Sequence, residues 1–234
     1  LAGVVTISLG MFFVSDYARA DAGAAEALVF RNKIADYNRL KPLQNPRYVR
    51  SSKILKRRVA DSKNKVIGEV NDILFNQDGQ VESLYVDFDR LNLGKSVYLN
   101  YDTVDIKSVS SGYRLGFNSD EVETLYPALL SGIETASGDA GNGDEYKILS
   151  LKDVLGSTVI DSDGLIIGKL EDILFDSNGT YVRSVYLNIN YQTIHNKGVA
   201  VPISVLGFED KHGKLYVVID KPYVKPILEM AKEG

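Results

Sequence analysis

The chain has 234 residues, 44% of them hydrophobic and 25% charged, with a net charge of −4; that balance excludes wholesale disorder and allows one or two folded domains. It contains no Cys, which excludes disulfides, thiolate nucleophiles and Cys-bound metal. Its two His, His195 and His212, leave little for a metal centre or for His-dependent catalysis.

Residues 1–14 (LAGVVTISLGMFFV) are apolar and uncharged, and Ala18-Arg19-Ala20 follows them. An apolar stretch ahead of an A-x-A pattern is the mark of a secretory signal, so residues 1–20 are expected to be a truncated signal peptide. A membrane anchor is the alternative, although the visible run is shorter than a bilayer crossing needs. The expected location is the periplasm or cell envelope; the alternative is membrane anchoring with the rest of the chain in the cytoplasm. Residues 21–50 are expected to form a helix and a basic arm. Phe30, Ile34 and Tyr37 share one helical face, and Pro42 and Pro46 end the helix. Arg31, Lys33, Arg39, Lys41, Arg47, Arg50, Lys53, Lys56, Arg57 and Arg58 lie within 28 residues whose one acid is Asp36, a net +9 that leaves −13 on the remainder. Such an arm suits an anionic membrane surface, whereas an acidic body argues against nucleic acid.

The body is a tandem repeat. Residues 59–79 (VADSKNKVIGEVNDILFNQDG) align without a gap on 159–179 (VIDSDGLIIGKLEDILFDSNG), with 10 identities in 21 positions. A period near 100 residues is long enough for each copy to have its own core. In each copy a strand (66–75; 166–175) runs into a Gly-containing turn and a second strand (81–88; 181–189), a hairpin signature. Third (96–101; 198–203) and fourth (113–117; 214–219) strands follow, then a short helix (119–130; 223–232). The modules are expected at 51–130 and 146–232, joined by a flexible linker at 131–145 that is rich in Gly, Ser and Ala.

The motif Val66-Ile67-Gly68-x-Val70-x-Asp72-Ile73-Leu74-Phe75, with Gly79 in the turn, recurs as Ile166-Ile167-Gly168-x-Leu170-x-Asp172-Ile173-Leu174-Phe175 with Gly179. It resembles the PRC-barrel family, which includes the cytoplasmic part of the photosynthetic reaction-centre H subunit and the C-terminal domain of the ribosome-maturation factor RimM. The resemblance implies a mainly β fold of two tandem small barrels, used for assembly or interaction and without family-wide catalytic residues.

Gly68 with Asp72 and Gly168 with Asp172 are read as fold requirements: Gly for a bulge or close backbone approach, Asp for accepting backbone N–H groups from a nearby turn. The rival reading makes the two Asp the acids of a site between the barrels. Asp161-Ser162-Asp163-Gly164 and Asp176-Ser177-Asn178-Gly179 lack the later ligands of a calcium loop and read as turns. Gly94-Lys95-Ser96 lacks the first Gly of a phosphate loop. His195 is expected in a loop and His212 in a hairpin turn. The 14 Tyr suit strands and interfaces. No catalytic, cofactor-binding or metal-binding residue is expected, and no cofactor. The leading expectation is a non-enzymatic scaffold of the bacterial envelope with an unknown protein partner. The alternatives are an enzyme or ligand-binding protein with a site between the barrels, and an RNA or ribosome-assembly role.

Overall fold

Two halves of the chain each build a half-barrel, and each half lends its first strand to the other. The computed structural model describes residues 12–88, 96–101, 104–121 and 148–233, with side chains from residue 25 onward. Helix α1 spans Phe12–Arg39 and is followed by β1 (Tyr48–Arg50) and the one-turn helix α2 (Ser51–Ile54). Six strands form the first module: β2 (Arg58–Ala60), β3 (Val66–Phe75), β4 (Val81–Asp87), β5 (Ser96–Asn100), β6 (Ile106–Val109) and β7 (Gly112–Leu115). The second half repeats the plan. Strand β8 (Leu149–Ser150) and helix α3 (Leu151–Val154) precede β9 (Thr158–Asp161), β10 (Ile166–Asp176), β11 (Val182–Tyr191), β12 (Ile194–Pro202), β13 (Leu206–Lys211) and β14 (Lys214–Ile219), and helix α4 (Lys221–Glu233) closes it.

The first sheet has the order β5-β4-β3-β2-β7-β6 and the second β12-β11-β10-β9-β14-β13. Neighbours are antiparallel except β2 with β7 and β9 with β14, which run parallel and return the chain to the start of its own module. Strand β1 then pairs with β10 of the second module, and β8 pairs with β3 of the first. The modules are therefore reciprocally exchanged. Their buried side chains form one continuous apolar cluster, from Ile54 and Phe75 through to Phe175 and Ile227.

The recurring motif explains the geometry of the central strands. Between Val70 and Asp72 the pairing with β4 slips by one residue, and the same slip falls between Leu170 and Asp172. A β-bulge inserts one residue and flips the side-chain alternation. Val70, Ile73 and Phe75 can then all be buried, which strict alternation would forbid. Gly68 and Gly168 sit where the neighbouring strand comes close: a Cβ would lie 2.4 Å from the Asp87 carbonyl oxygen at Gly68, and against the Asn188 carbonyl at Gly168.

Strands β2, β6, β9 and β13 were not expected from the sequence, because runs of three to six residues carry too little alternation to register. His195 stands in β12, exposed, with Nδ1 3.1 Å from Asn190 Oδ1, which corrects the loop expected there. His212, at φ +58, does occupy the β13–β14 turn. The linker expected at 131–145 lies outside the described residues, as does the helix expected at 119–130 beyond residue 121. That helix opens on a capping box: Asn118 Oδ1 accepts the N–H groups of Asp120 and Glu121, and Glu121 Oε2 accepts that of Asn118.

Candidate functional site

The bulged Asp residues are where the two exchanges are fastened. Asp172, 2% exposed, accepts bonds from Arg50 Nε at 2.5 Å, Ser51 Oγ at 2.5 Å, the Ser51 N–H at 3.2 Å and the Ile173 N–H at 2.9 Å. Asp72 accepts from Ser150 Oγ at 2.6 Å, the Lys152 N–H at 3.1 Å and the Ile73 N–H at 2.8 Å. The expected partners were turn N–H groups of the same module. Five of these seven donors come instead from the short strand and helix that the opposite half contributes. The fastenings are unequal: Arg50 gives Asp172 a cationic partner, and the residue at the matching place on β8 is Ser150.

The turns of the two hairpins interlock beside these fastenings. The Val81 N–H bonds the Thr180 carbonyl at 3.1 Å, the Val182 N–H bonds the Gly79 carbonyl at 2.7 Å, and Gln80 and Tyr181 form an antiparallel bridge. Tyr181 Oη donates to the Asp78 carbonyl at 2.5 Å, and Tyr113 Oη lies 3.4 Å from the Gly179 carbonyl. Gly79 (φ +93) and Gly179 (φ +73) need both the left-handed backbone and the space: a Cβ would meet the Val182 carbonyl at 2.5 Å and the Tyr113 hydroxyl at 2.6 Å. Burial pushes the hydroxyls of Tyr101 and Tyr113 above the ordinary phenol range.

Helix α1 is docked on the second module. Phe30 and Ile34 are buried, and the Phe30 ring packs on Tyr223 with centroids 4.7 Å apart. Tyr37 Oη is 2.6 Å from Ser184 Oγ. The Asn38 amide accepts the Ala200 N–H at 2.9 Å and donates to its carbonyl at 2.8 Å, so a side chain pairs with the edge strand β12 as another strand would. Arg31 reaches Glu229 and Glu233 at 3.4 and 3.2 Å. Of the arm's other cations, Arg50 holds Asp172 and Arg57 lies over the Tyr113 ring at 5.8 Å, while Lys33, Arg39, Lys41, Arg47, Lys53, Lys56 and Arg58 are exposed. The apolar face of α1 is thus buried against the second module. Among the described residues no helix is long and apolar enough to cross a membrane.

The calcium-like segments serve as turns. Asp161 Oδ1 accepts the N–H groups of Asp163 and Leu165, and Asp176 Oδ1 those of Thr180 and Tyr181. Among the described residues no three acids or His gather as a metal would require. A cleft of about 370 Å³ beside α4 is lined by Asp161, Lys221, Val224, Lys225, Leu228, Glu229 and Lys232. Lys221 is tied to Asp163 at 2.8 Å and Glu229 to Arg31. Ser51, Ser150 and Asn38 went unremarked in the sequence, and Tyr37 was read only as part of a helical face, because their partners lie between 78 and 162 residues away.

The model of the PRC-barrel domain family matches residues 46–114 and, again, 147–223. Each match begins just ahead of an exchanged strand, at β1 and at β8. A search of curated proteins gives no match.

Proposed function

The chain belongs to the PRC-barrel family in both of its repeats, and from that premise we propose that it is a non-enzymatic scaffold of the cell envelope. One observation carries this reading: the two Asp that would serve as acids of a site between the modules are saturated with bonds that hold the modules together. A general acid or base must be free to reach a substrate proton. The envelope location rests on the apolar segment 1–14 followed by Ala18-Arg19-Ala20.

The anionic surface that such a scaffold meets is the lipid headgroup layer. Lys33, Lys41, Arg47, Lys53, Lys56 and Arg58 remain exposed on the docked arm. Each cation near an anionic leaflet contributes about 1 kcal/mol, screened within a Debye length. Co-sedimentation with phosphatidylserine-containing vesicles tests the reading on the full chain. Replacing Lys33, Lys41, Arg47 and Lys53 by Gln is expected to abolish binding at low salt, and 0.5 M salt (roughly a 4 Å Debye length) to abolish it in the unaltered chain. Binding that survives both changes refutes the surface reading. Crosslinking and pull-down from native cells then tests for a protein partner, and recovery of a turned-over substrate instead would overturn the scaffold.

A further inference from the structure

Among the described residues, the contacts that fasten the modules join residues 12–121 to residues 148–233. The first half supplies α1, β1, α2 and the β2–β7 sheet; the second supplies β8, α3, the β9–β14 sheet and α4. Each half fills a groove in the other. Val49 and Arg50 lie along Phe175 and Leu174, and Leu149 and Ser150 lie along Phe75 and Leu74. Ile54, Leu151 and Val154, from the two short helices, are each fully buried. Asn38, Arg50 and Ser51 on one side and Ser150, Lys152 and Tyr181 on the other complete the polar contacts. The covalent tie between the halves is residues 122–147.

A reciprocal arrangement of this kind is indifferent to which copy supplies each half. We propose that the partner this surface fits is a second copy of the same chain, in a closed dimer where the first half of each copy holds the second half of the other. Every strand pair, Asp fastening and turn contact is retained, since each is made by the same two halves. The grooves recognise an extended apolar residue followed by hydroxyl, guanidinium and helix-start N–H donors aimed at a bulged carboxylate. That chemistry is found at residues 49–51 and 149–152 of this chain. The covalent tie favours the closed monomer by its effective concentration, which is on the order of millimolar for a short connection. Crowding copies onto one surface raises the share of dimer. The inference does not rest on the envelope reading, because it follows from the exchange alone.

The chain lacks Cys, so introduced pairs report cleanly. Gln80 and Tyr181 face each other across the halves in an antiparallel bridge, and neither belongs to an Asp fastening. One full-length chain carries Gln80→Cys and another Tyr181→Cys. The two are unfolded together in urea, refolded as an equimolar mixture and oxidised. A disulfide-linked dimer is expected from the mixture and not from either variant alone. Its ratio to monomer should rise about 100-fold when the refolding concentration rises from 5 to 500 μM, as mass action requires while dimer is the minor species. The chain with both substitutions serves as the control for geometry and should close within itself at low concentration. If that control closes and the mixture yields no linked dimer at 500 μM, the proposal is overturned. If the control fails to close, the modules do not face each other as described, and the proposal falls with that geometry.

Discussion

Removing the Asp172 carboxylate should cost more than removing that of Asp72, although the two stand at matching places in the repeat. In Asp172→Ala, the Ser51 N–H and hydroxyl lose their acceptor while Ser51 stays only 3% exposed. Each stranded buried donor costs about 1–3 kcal/mol. The Arg50 side chain is 40% exposed, so water takes over its guanidinium and its share is only about 0–1 kcal/mol. The total is about 2–7 kcal/mol, a range that contains the roughly 3–5 kcal/mol typical of breaking a buried charge pair. Asp72→Ala strands the Lys152 N–H and a Ser150 hydroxyl that is only half-buried, for about 2–3 kcal/mol. Urea unfolding measures both, followed by far-ultraviolet circular dichroism and by Tyr fluorescence, since the chain has no Trp. The exchanged, continuous core should give one coincident transition for both probes. Equal costs, or a larger cost at Asp72, would refute the assignment of the stronger fastening to the β1–α2 segment.

Gly179→Ala should destabilise by about 2–4 kcal/mol, because it adds a collision with Tyr113 to the left-handed strain. Gly164→Ala, at φ +86 with open space around it, should cost only about 1 kcal/mol; urea midpoints compare them. Asn38→Ala frees the edge of β12, and hydrogen exchange should show the Ala200 amide opening faster while amides of β3 hold their protection. Burial raises the pKa of Asp61, but the N–H groups of Lys65, Ser119 and Lys63 outweigh it and hold the carboxyl below its usual range. A folded pKa below the unfolded value stabilises the fold above the unfolded pKa, and that stability is lost as pH falls through the folded one. Asp61→Asn should therefore flatten the acid limb of stability measured from pH 6 down to pH 3.

The hairpin β3–β4 and its copy β10–β11 were legible because runs of seven to eleven residues with a Gly turn leave a clear period. Gly68 and Gly168 were legible as close approaches for the same reason: the repeat marked them twice. The role of Asp72 and Asp172 was half legible. Their recurrence pointed to the fold, but their partners are set by a chain crossing that no local pattern records. Strand β1 was hidden inside a run of cations, where Tyr48-Val49-Arg50 shows no alternation at all. The arm's charge suggested a surface, and the charge was real. What the sequence could not disclose is that Phe30, Ile34 and Asn38 already have a protein partner in the second module.

The exchange also sets a timetable for synthesis. The first module cannot be completed until β8 leaves the ribosome, 78 residues after Asp72 has appeared. Arg50 waits 122 residues for Asp172, and Asn38 waits 162 for Ala200. At roughly 5–20 residues per second the last delay is about 8–32 s, far longer than a hairpin takes to form. Until their own partners emerge, the edge of β3, the apolar face of α1 and the vacant Asp72 groove stand open to other strands. A nascent chain with this connectivity stays unfinished until its second repeat is nearly whole, a state suited to being held by a chaperone or threaded unfolded through a membrane pore.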